Sequence, residues 1–264
     1  MRLRLLSIAL LGIFTFTGCT KDPVPTPAVP GIESMKVKEI RNGVNDYQQF
    51  FYNSNGQLIK YQVEFSSGTG QPSTYYVNLE YTNGQVSKAT MPSGFSNYIY
   101  TDGKLSSIES FTNTGAKISS AALIINNKQQ LVEMKETFGN PIPGGVVETK
   151  VIYVYNEQGN LIRKDYYTRE TGSQFVYTES SIFENYDNKK IPQAFARAEF
   201  FLPNCVLMVN NPGRIISKSA NGTINRIDRF EYQYNTEGYP TQRIWYVESV
   251  PNPVTPITFQ YTYW

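Results

Sequence analysis

The chain has 264 residues, of which 40% are hydrophobic, 14% aromatic and 17% charged, enough to bury roughly 70% of its unfolded surface in one large or two small domains. It contains no histidine, which excludes Ser-His-Asp and Cys-His catalysis and removes the commonest metal ligand. The formal net charge is +2, and a chain this close to neutral offers no electrostatic case for nucleic acid.

The first element is a leader. A basic start (Arg2, Arg4), an apolar run from Leu5 to Phe16 and the small residues Thr17-Gly18 precede Cys19, the layout of a signal peptide that ends at a cleavage site. An apolar run of about a dozen residues is too short to span a bilayer of roughly 30 Å. The segment resembles the lipobox of bacterial lipoproteins, although Phe16 stands where leucine is usual. That resemblance implies removal of residues 1–18, acylation of Cys19, and attachment to the outer membrane through the lipid. The mature chain would carry 22 basic against 22 acidic residues. With Cys19 acylated, Cys205 is the only other cysteine, so disulfides do not hold the fold together. Residues 19–31 include Pro23, Pro25, Pro27 and Pro30 and read as an extended tether, because proline fixes φ and lacks an amide donor. A single domain is expected over 32–264.

That domain reads as β throughout. Ile59, Tyr61, Val63 and Phe65 alternate with polar residues, as do Tyr75, Val77, Leu79 and Tyr81, the period of strands with one buried face. Asn83-Gly84 and Asp102-Gly103 are two-residue hairpin signals, since both central positions of a type I′ turn need positive φ. Asn53-Ser54-Asn55-Gly56, Asn156-Glu157-Gln158-Gly159 and Thr236-Glu237-Gly238 suit longer hairpin loops with glycine in the left-handed region. Aligned on these glycines, the chain repeats an aromatic residue, a polar turn, glycine, a polar residue and an aliphatic one. Phe51 to Leu58, Tyr81 to Val86, Tyr100 to Leu105, Tyr155 to Leu161 and Tyr234 to Pro240 are copies, and Ile125 to Leu131 is a copy without its glycine. The expectation is an all-β antiparallel meander of about 14 strands, curled into a half-barrel or barrel-like roll. One stretch breaks the pattern: Pro192 to Pro203, rich in alanine, suits a helix of about two turns, either a lid over a cavity or a cover for an open end of the sheet.

These hairpins resemble the YD repeats of RHS-type proteins, whose strands spiral into β shells. The turns lack the Gly-Arg pair of that pattern, because Gln57, Gln85, Lys104 and Asn160 follow the glycines, and the shells' encapsulating function needs a far longer chain. With the lipobox, the proline tether, Tyr186-Asp187-Asn188-Lys189-Lys190-Ile191-Pro192 and Asn210-Asn211-Pro212, the whole is more similar to a bacterial lipoprotein family of unknown function with a porin-like β fold. A spanning barrel is not expected. In the last strand Thr258, Gln260 and Thr262 share a face with Trp264 while Ile257, Phe259, Tyr261 and Tyr263 lie opposite, the wrong parity for an outer-membrane assembly signal.

Carboxylates are the acid–base groups that remain. Glu133 with Glu136, Glu179 with Glu184, and Glu231 with Glu248 could supply two acids each, but acids on wet strand faces are expected as cross-strand partners of Lys and Arg. No catalytic residue, metal ligand or cofactor is assigned. Twenty tyrosines are the more informative feature, since each must place its hydroxyl at a partner or in water. Tyr76, Tyr166 and Trp245 read as exposed-face residues able to stack on a sugar or apolar ligand. The functional expectation is a lipid-anchored envelope module that binds a glycan, a small ligand or an envelope protein; an interaction or structural subunit of an envelope complex and a carboxylate glycoside hydrolase are the alternatives.

Overall fold

The computed structural model describes residues 35–66, 72–139, 145–192, 202–203, 205–248 and 255–264. Cys19, the leader and the tether lie outside these residues, as do 193–201 of the expected helix. The strands are β1 (Val37–Arg41), β2 (Tyr47–Tyr52), β3 (Leu58–Ser66), β4 (Pro72–Thr82), β5 (Gln85–Met91), β6 (Gly94–Thr101), β7 (Lys104–Thr112), β8 (Lys117–Ile125), β9 (Leu131–Phe138), β10 (Val146–Tyr155), β11 (Leu161–Glu170), β12 (Val176–Glu184), β13 (Arg214–Ser219), β14 (Ile224–Tyr234), β15 (Pro240–Val247) and β16 (Ile257–Tyr263).

Each strand pairs antiparallel with its sequence neighbours, and β1 pairs with β16 as well as β2, so the meander closes into a 16-strand barrel. Ile40 sits opposite Tyr261 on one side and Gln48 on the other. Closure removes both sheet edges and with them the unpaired backbone groups that an open roll would expose. The expectation of about 14 strands falls short by one hairpin, and the roll is a full barrel. Far-end hairpins around Thr114-Gly115, Thr171-Gly172 and Asn221-Gly222 lack the aromatic signature of the others and account for strands that the repeat alone does not mark.

The glycine turns form as their residues dictate. Asn83 and Gly84 have φ of 51° and 77°, Asp102 and Gly103 of 50° and 74°, both central residues left-handed. In the longer loops the asparagine organises the turn. Asn53 Oδ1 accepts the amides of Asn55 and Gln57 at 3.0 Å each, Asn126 Oδ1 those of Lys128 (2.9 Å) and Gln130 (3.0 Å), and Asn235 Oδ1 those of Glu237 (3.1 Å) and Tyr239 (2.9 Å). The copy without glycine places Gln129 at φ 62°, a conformation that costs a residue with a Cβ.

Each repeat hairpin also carries a register shift beside its opening residue, aromatic in all but the Ile125 copy: Phe51/Tyr52, Glu80/Tyr81, Ile99/Tyr100, Ile124/Ile125, Val154/Tyr155 and Gln233/Tyr234. The extra residue lies on the strand after the glycine and turns that strand's first aliphatic residue inward with the residue three further on. Leu58 and Tyr61, Val86 and Ala89, Leu105 and Ile108, and Leu131 and Met134 are such pairs.

The core is the inner surface of the barrel at the end that carries these turns. Phe50, Ala89, Leu131 and Leu161 have no exposed surface there. The outer wall is polar. Arg41 pairs with Glu39 (2.7 Å), Lys117 with Glu109 (2.7 Å), Arg169 with Glu148 (2.5 Å) and Arg214 with Glu184 (2.8 Å). In β16 Thr258, Gln260 and Thr262 face outward, because Phe259 and Tyr261 pack inside. A bilayer-spanning barrel requires the opposite, an apolar band outside and a polar interior.

Candidate functional site

At the repeat end the tyrosines line the interior and tie neighbouring strands together. Tyr81 Oη donates to the Leu58 carbonyl (2.8 Å), Tyr100 to Val86 (2.9 Å), Tyr155 to Leu131 (2.8 Å), Tyr186 to Leu161 (2.5 Å) and Tyr263 to Pro240 (2.6 Å). In most of these pairs the acceptor is the aliphatic residue after one hairpin's glycine and the donor is the aromatic residue before the next. The repeat therefore encodes a belt of phenol-to-carbonyl bonds. Burial raises the pKa of Tyr100, Tyr155, Tyr186 and Tyr263, holding them protonated as donors. Outside the belt, Gln85 Nε2 donates to the Gly103 carbonyl (3.0 Å) and Lys104 Nζ to Asn127 Oδ1 (3.2 Å). The residue that follows glycine thus reaches the next turn, which explains why amide and amine side chains occupy it.

The described residues of the connection from β12 to β13 pack on this end. Leu202, Cys205, Val206 and Leu207 are buried; the Val206 amide donates to the Gln129 carbonyl (2.9 Å) and the Leu161 amide to the Leu207 carbonyl (2.9 Å). Asn160, 3% exposed, holds the segment: its Oδ1 accepts the amides of Val209 (2.8 Å) and Asn210 (2.9 Å), and its Nδ2 donates to Asn210 Oδ1 (3.0 Å). Asp187 accepts from the Lys189 and Asn211 amides, the Asn211 side chain and the Tyr234 hydroxyl. Tyr186-Asp187 and Asn210-Asn211-Pro212 are therefore the two ends of one clasp. The functional alternatives for 192–203, lid or cover, rest on residues outside those described, but the flanking Pro192, Leu202 and Pro203 are buried.

Between this clasp and the wall lies a cavity of about 130 Å³, bounded by Met208, Pro212, Ile215, Phe230, Tyr232, Tyr261 and Arg243 among others. Tyr232 Oη donates to the Pro212 carbonyl (3.0 Å), and burial raises its pKa against the opposing influence of Arg243. The Arg243 guanidinium lies 4.4 Å from the centre of the Phe259 ring and 5.5 Å from that of Phe230. Its Nε is buried without a hydrogen-bond partner.

Further from the floor the inner wall becomes small and charged. Ser96, Ser110 and Ser119 face inward, with Ser96 and Ser110 hydrogen-bonded at 2.9 Å. Lys164 lies 5.6 Å from the Tyr153 ring centre. Arg226 Nε donates to both Asp228 oxygens at 2.9 Å. Glu179, opposite Tyr166, and Arg226 are exposed although they face inward, so water reaches this part of the barrel.

The three candidate stacking residues do not form one surface. Tyr76 faces outward as expected, 36% exposed, with Lys60 Nζ 5.7 Å from its ring centre. Tyr166 and Trp245 face inward, which corrects their assignment to the outer face. Tyr166 packs on the core. Trp245 stacks on Phe230 at 6.5 Å, donates Nε1 to Asp228 Oδ1 at 2.7 Å and lies under Arg226 at 5.1 Å. The cause is the register shift: β11 has Ile162 and β15 has Thr241 as the extra residue, so strict alternation counted from Leu161 or Pro240 inverts the rest of the strand. The same inversion hid Arg243.

The carboxylate pairs separate as well. Glu133 pairs across to Ile152 on the outer face and Glu136 to Thr149 on the inner; Glu179 is inside and Glu184 outside, bound to Arg214. Glu231 and Glu248 do meet, on the outer wall, both on Arg229. Arg229 and the Tyr246 hydroxyl hold the Glu231 carboxyl below the usual carboxylate range, which suits an ion-pair triad.

No family model matches the sequence, and no curated protein matches it. Among solved structures, a porin-like protein from Bacteroides uniformis ATCC 8492 is 15% identical with a TM-score of 0.57, over 88% of this chain and 98% of that one. A porin-like protein from Bacteroides vulgatus ATCC 8482 is 13% identical with a TM-score of 0.60, over 87% and 98%. At these identities the likeness is one of fold, and the chain shares the porin-like barrel architecture of those two Bacteroides proteins.

Proposed function

We propose that the protein is an outer-membrane lipoprotein of porin-like fold, anchored through Cys19, that takes a small ligand or glycan into its barrel and performs no chemistry of its own. The observation that carries this reading is the distribution of polarity: a largely polar outer wall with ion pairs such as Arg41–Glu39 and Arg214–Glu184, and an inner surface that is aromatic and apolar at the repeat end, where the described residues of the β12–β13 connection pack. Such a wall suits water on the outside and a guest within. The lipobox and proline tether support a position at the envelope surface rather than across the bilayer, and the YD-like hairpins support kinship with lipid-anchored porin-like proteins. The inward Tyr166 and Trp245 remain candidate contacts, and Tyr76 is a candidate for an outer contact. Metal, cofactor and nucleic acid have no place in this reading.

A thermal-shift screen of the full chain against oligosaccharides, small organic acids and lipids tests it. A ligand at 100 times its Kd stabilises by about 2.7 kcal/mol, and at this size each kcal/mol raises Tm by about 2–4 °C. Silence across all classes overturns small-ligand capture and leaves an envelope protein as the partner. Cys19→Ser should move the protein from the membrane fraction to the soluble one; retention in the membrane overturns the anchor.

A further inference from the structure

We infer that the cavity at Arg243 is a binding site for a small organic carboxylate with an apolar body, of benzoate size. The inference rests on the capture reading and names its ligand class.

Among the described arginines, Arg243 alone takes part in no ion pair. Its neighbours in the cavity wall are Phe230, Tyr232, Ile215, Met208, Pro212 and Tyr261, none of them acidic. Its Nε is buried without an acceptor. By contrast Arg226, on the adjacent strand β14 and the same inner wall, is satisfied by Asp228. A guanidinium N–H removed from water without a partner is costly. The faces of Phe259 and Phe230 offset part of that cost but leave the Nε–H edge of the planar fork without an acceptor. A carboxylate fits that fork in two parallel hydrogen bonds, which an ammonium could not offer.

The rest of the site sets the body of the ligand. Tyr232 spends its hydroxyl on the Pro212 carbonyl, and Asn211 spends its amide on Asp187 and the Lys190 carbonyl. What these residues leave facing the cavity is largely apolar. A volume of about 130 Å³ is close to that of an engineered apolar cavity of roughly 150 Å³ that accepts benzene. It admits one ring or a short acyl chain, and is too small for an oligosaccharide. Trp245, stacked on Phe230, adjoins the site and supplies a fluorescent reporter.

The test titrates the full chain with benzoate, hexanoate, benzyl alcohol and inorganic phosphate, following tryptophan fluorescence and heat. Benzoate and hexanoate should bind, more weakly as salt rises, with benzyl alcohol and phosphate each at least about tenfold weaker, the range expected for one charge-assisted contact. Arg243→Met should weaken benzoate about 10- to 100-fold and leave benzyl alcohol unchanged; Arg226→Met should leave benzoate binding intact. Ile215→Trp, which fills the cavity, should abolish binding of both aromatic probes. Equal affinity for benzoate and benzyl alcohol, tight phosphate binding, or benzoate binding unaffected by Arg243→Met overturns the inference. If no carboxylate binds while an oligosaccharide shifts Tm, the site fails and the capture reading stands; if nothing binds, both fail.

Discussion

The two ends of the barrel are built on different terms. At the repeat end the hairpins share a set of parts: a phenol that donates to a carbonyl, as Tyr81, Tyr100 and Tyr155 do, a residue turned inward by an extra residue, and, at Gln85 and Lys104, an amide or amine that reaches the next turn. Leu131 and Leu161 have no exposed surface there, and Asn160 pins Val209 and Asn210 of the β12–β13 connection against them. At the far end the inward residues include serine, threonine and charged groups, and Glu179 and Arg226 meet water. The difference teaches that this barrel is stabilised from one end, like a cup from its base, so the other end can vary in side chain without loss of the fold.

Alkaline pH should break the contrast most completely. Burial raises the pKa of Tyr61 to about 12, and those of Tyr98, Tyr100, Tyr155, Tyr186, Tyr232 and Tyr263 also rise. A folded-state pKa above the unfolded value near 10 gives stability that is whole below pH 10 and lost as pH climbs toward the folded value. Each tenfold difference in acidity is worth about 1.4 kcal/mol per tyrosine, so the barrel should unfold cooperatively above pH 10. Phenolate absorbance should show a late group of tyrosines titrating with loss of β circular dichroism; a single smooth titration near pH 10 with the fold intact would falsify the belt.

Next in size, Leu161→Ala at the base should cost about 2–5 kcal/mol, whereas Ser217→Ala on the far inner wall should stay within about 0.5 kcal/mol. Urea unfolding of both variants measures the contrast, and equal midpoints would remove it. Asn160→Ala deprives the Val209 and Asn210 amides of their acceptor and should cost about 1–3 kcal/mol, with faster hydrogen exchange confined to those amides and their neighbours. Tyr155→Phe removes one belt bond at unchanged packing and should cost about 0.5–1.5 kcal/mol. The smallest effect runs the other way: Gln129→Gly relieves the left-handed strain at φ 62° and should stabilise by about 0.5–1 kcal/mol, read as a higher Tm.

Much of this base is legible in the residues. The glycine turns, the aromatic–glycine–aliphatic repeat and the missing glycine at Gln129 all mark real hairpins, because turn chemistry is local. The parity of β4 is read correctly, so Tyr76 lands on the outer wall. The parity of β11 and β15 is not, because Ile162 and Thr241 are extra residues that no alternation reveals; Tyr166, Trp245 and Arg243 then change sides together. The rule that each glycine hairpin is followed by such a residue would recover all three. The paired acids illustrate the same limit. Glu133 and Glu136 are close in sequence yet on opposite faces, while Glu231 and Glu248 meet only because Arg229 draws both.

By itself the sequence determines the strand character, the turn types and the antiparallel meander, since these depend on alternation and on which residues tolerate positive φ. Tertiary structure decides the closure of β1 on β16, the clasp of Asp187 and Asn160 over the base, and the inward turn of Arg243. Each of these joins residues far apart in the chain or hangs on a one-residue shift of register, and short-range pattern carries no information about either.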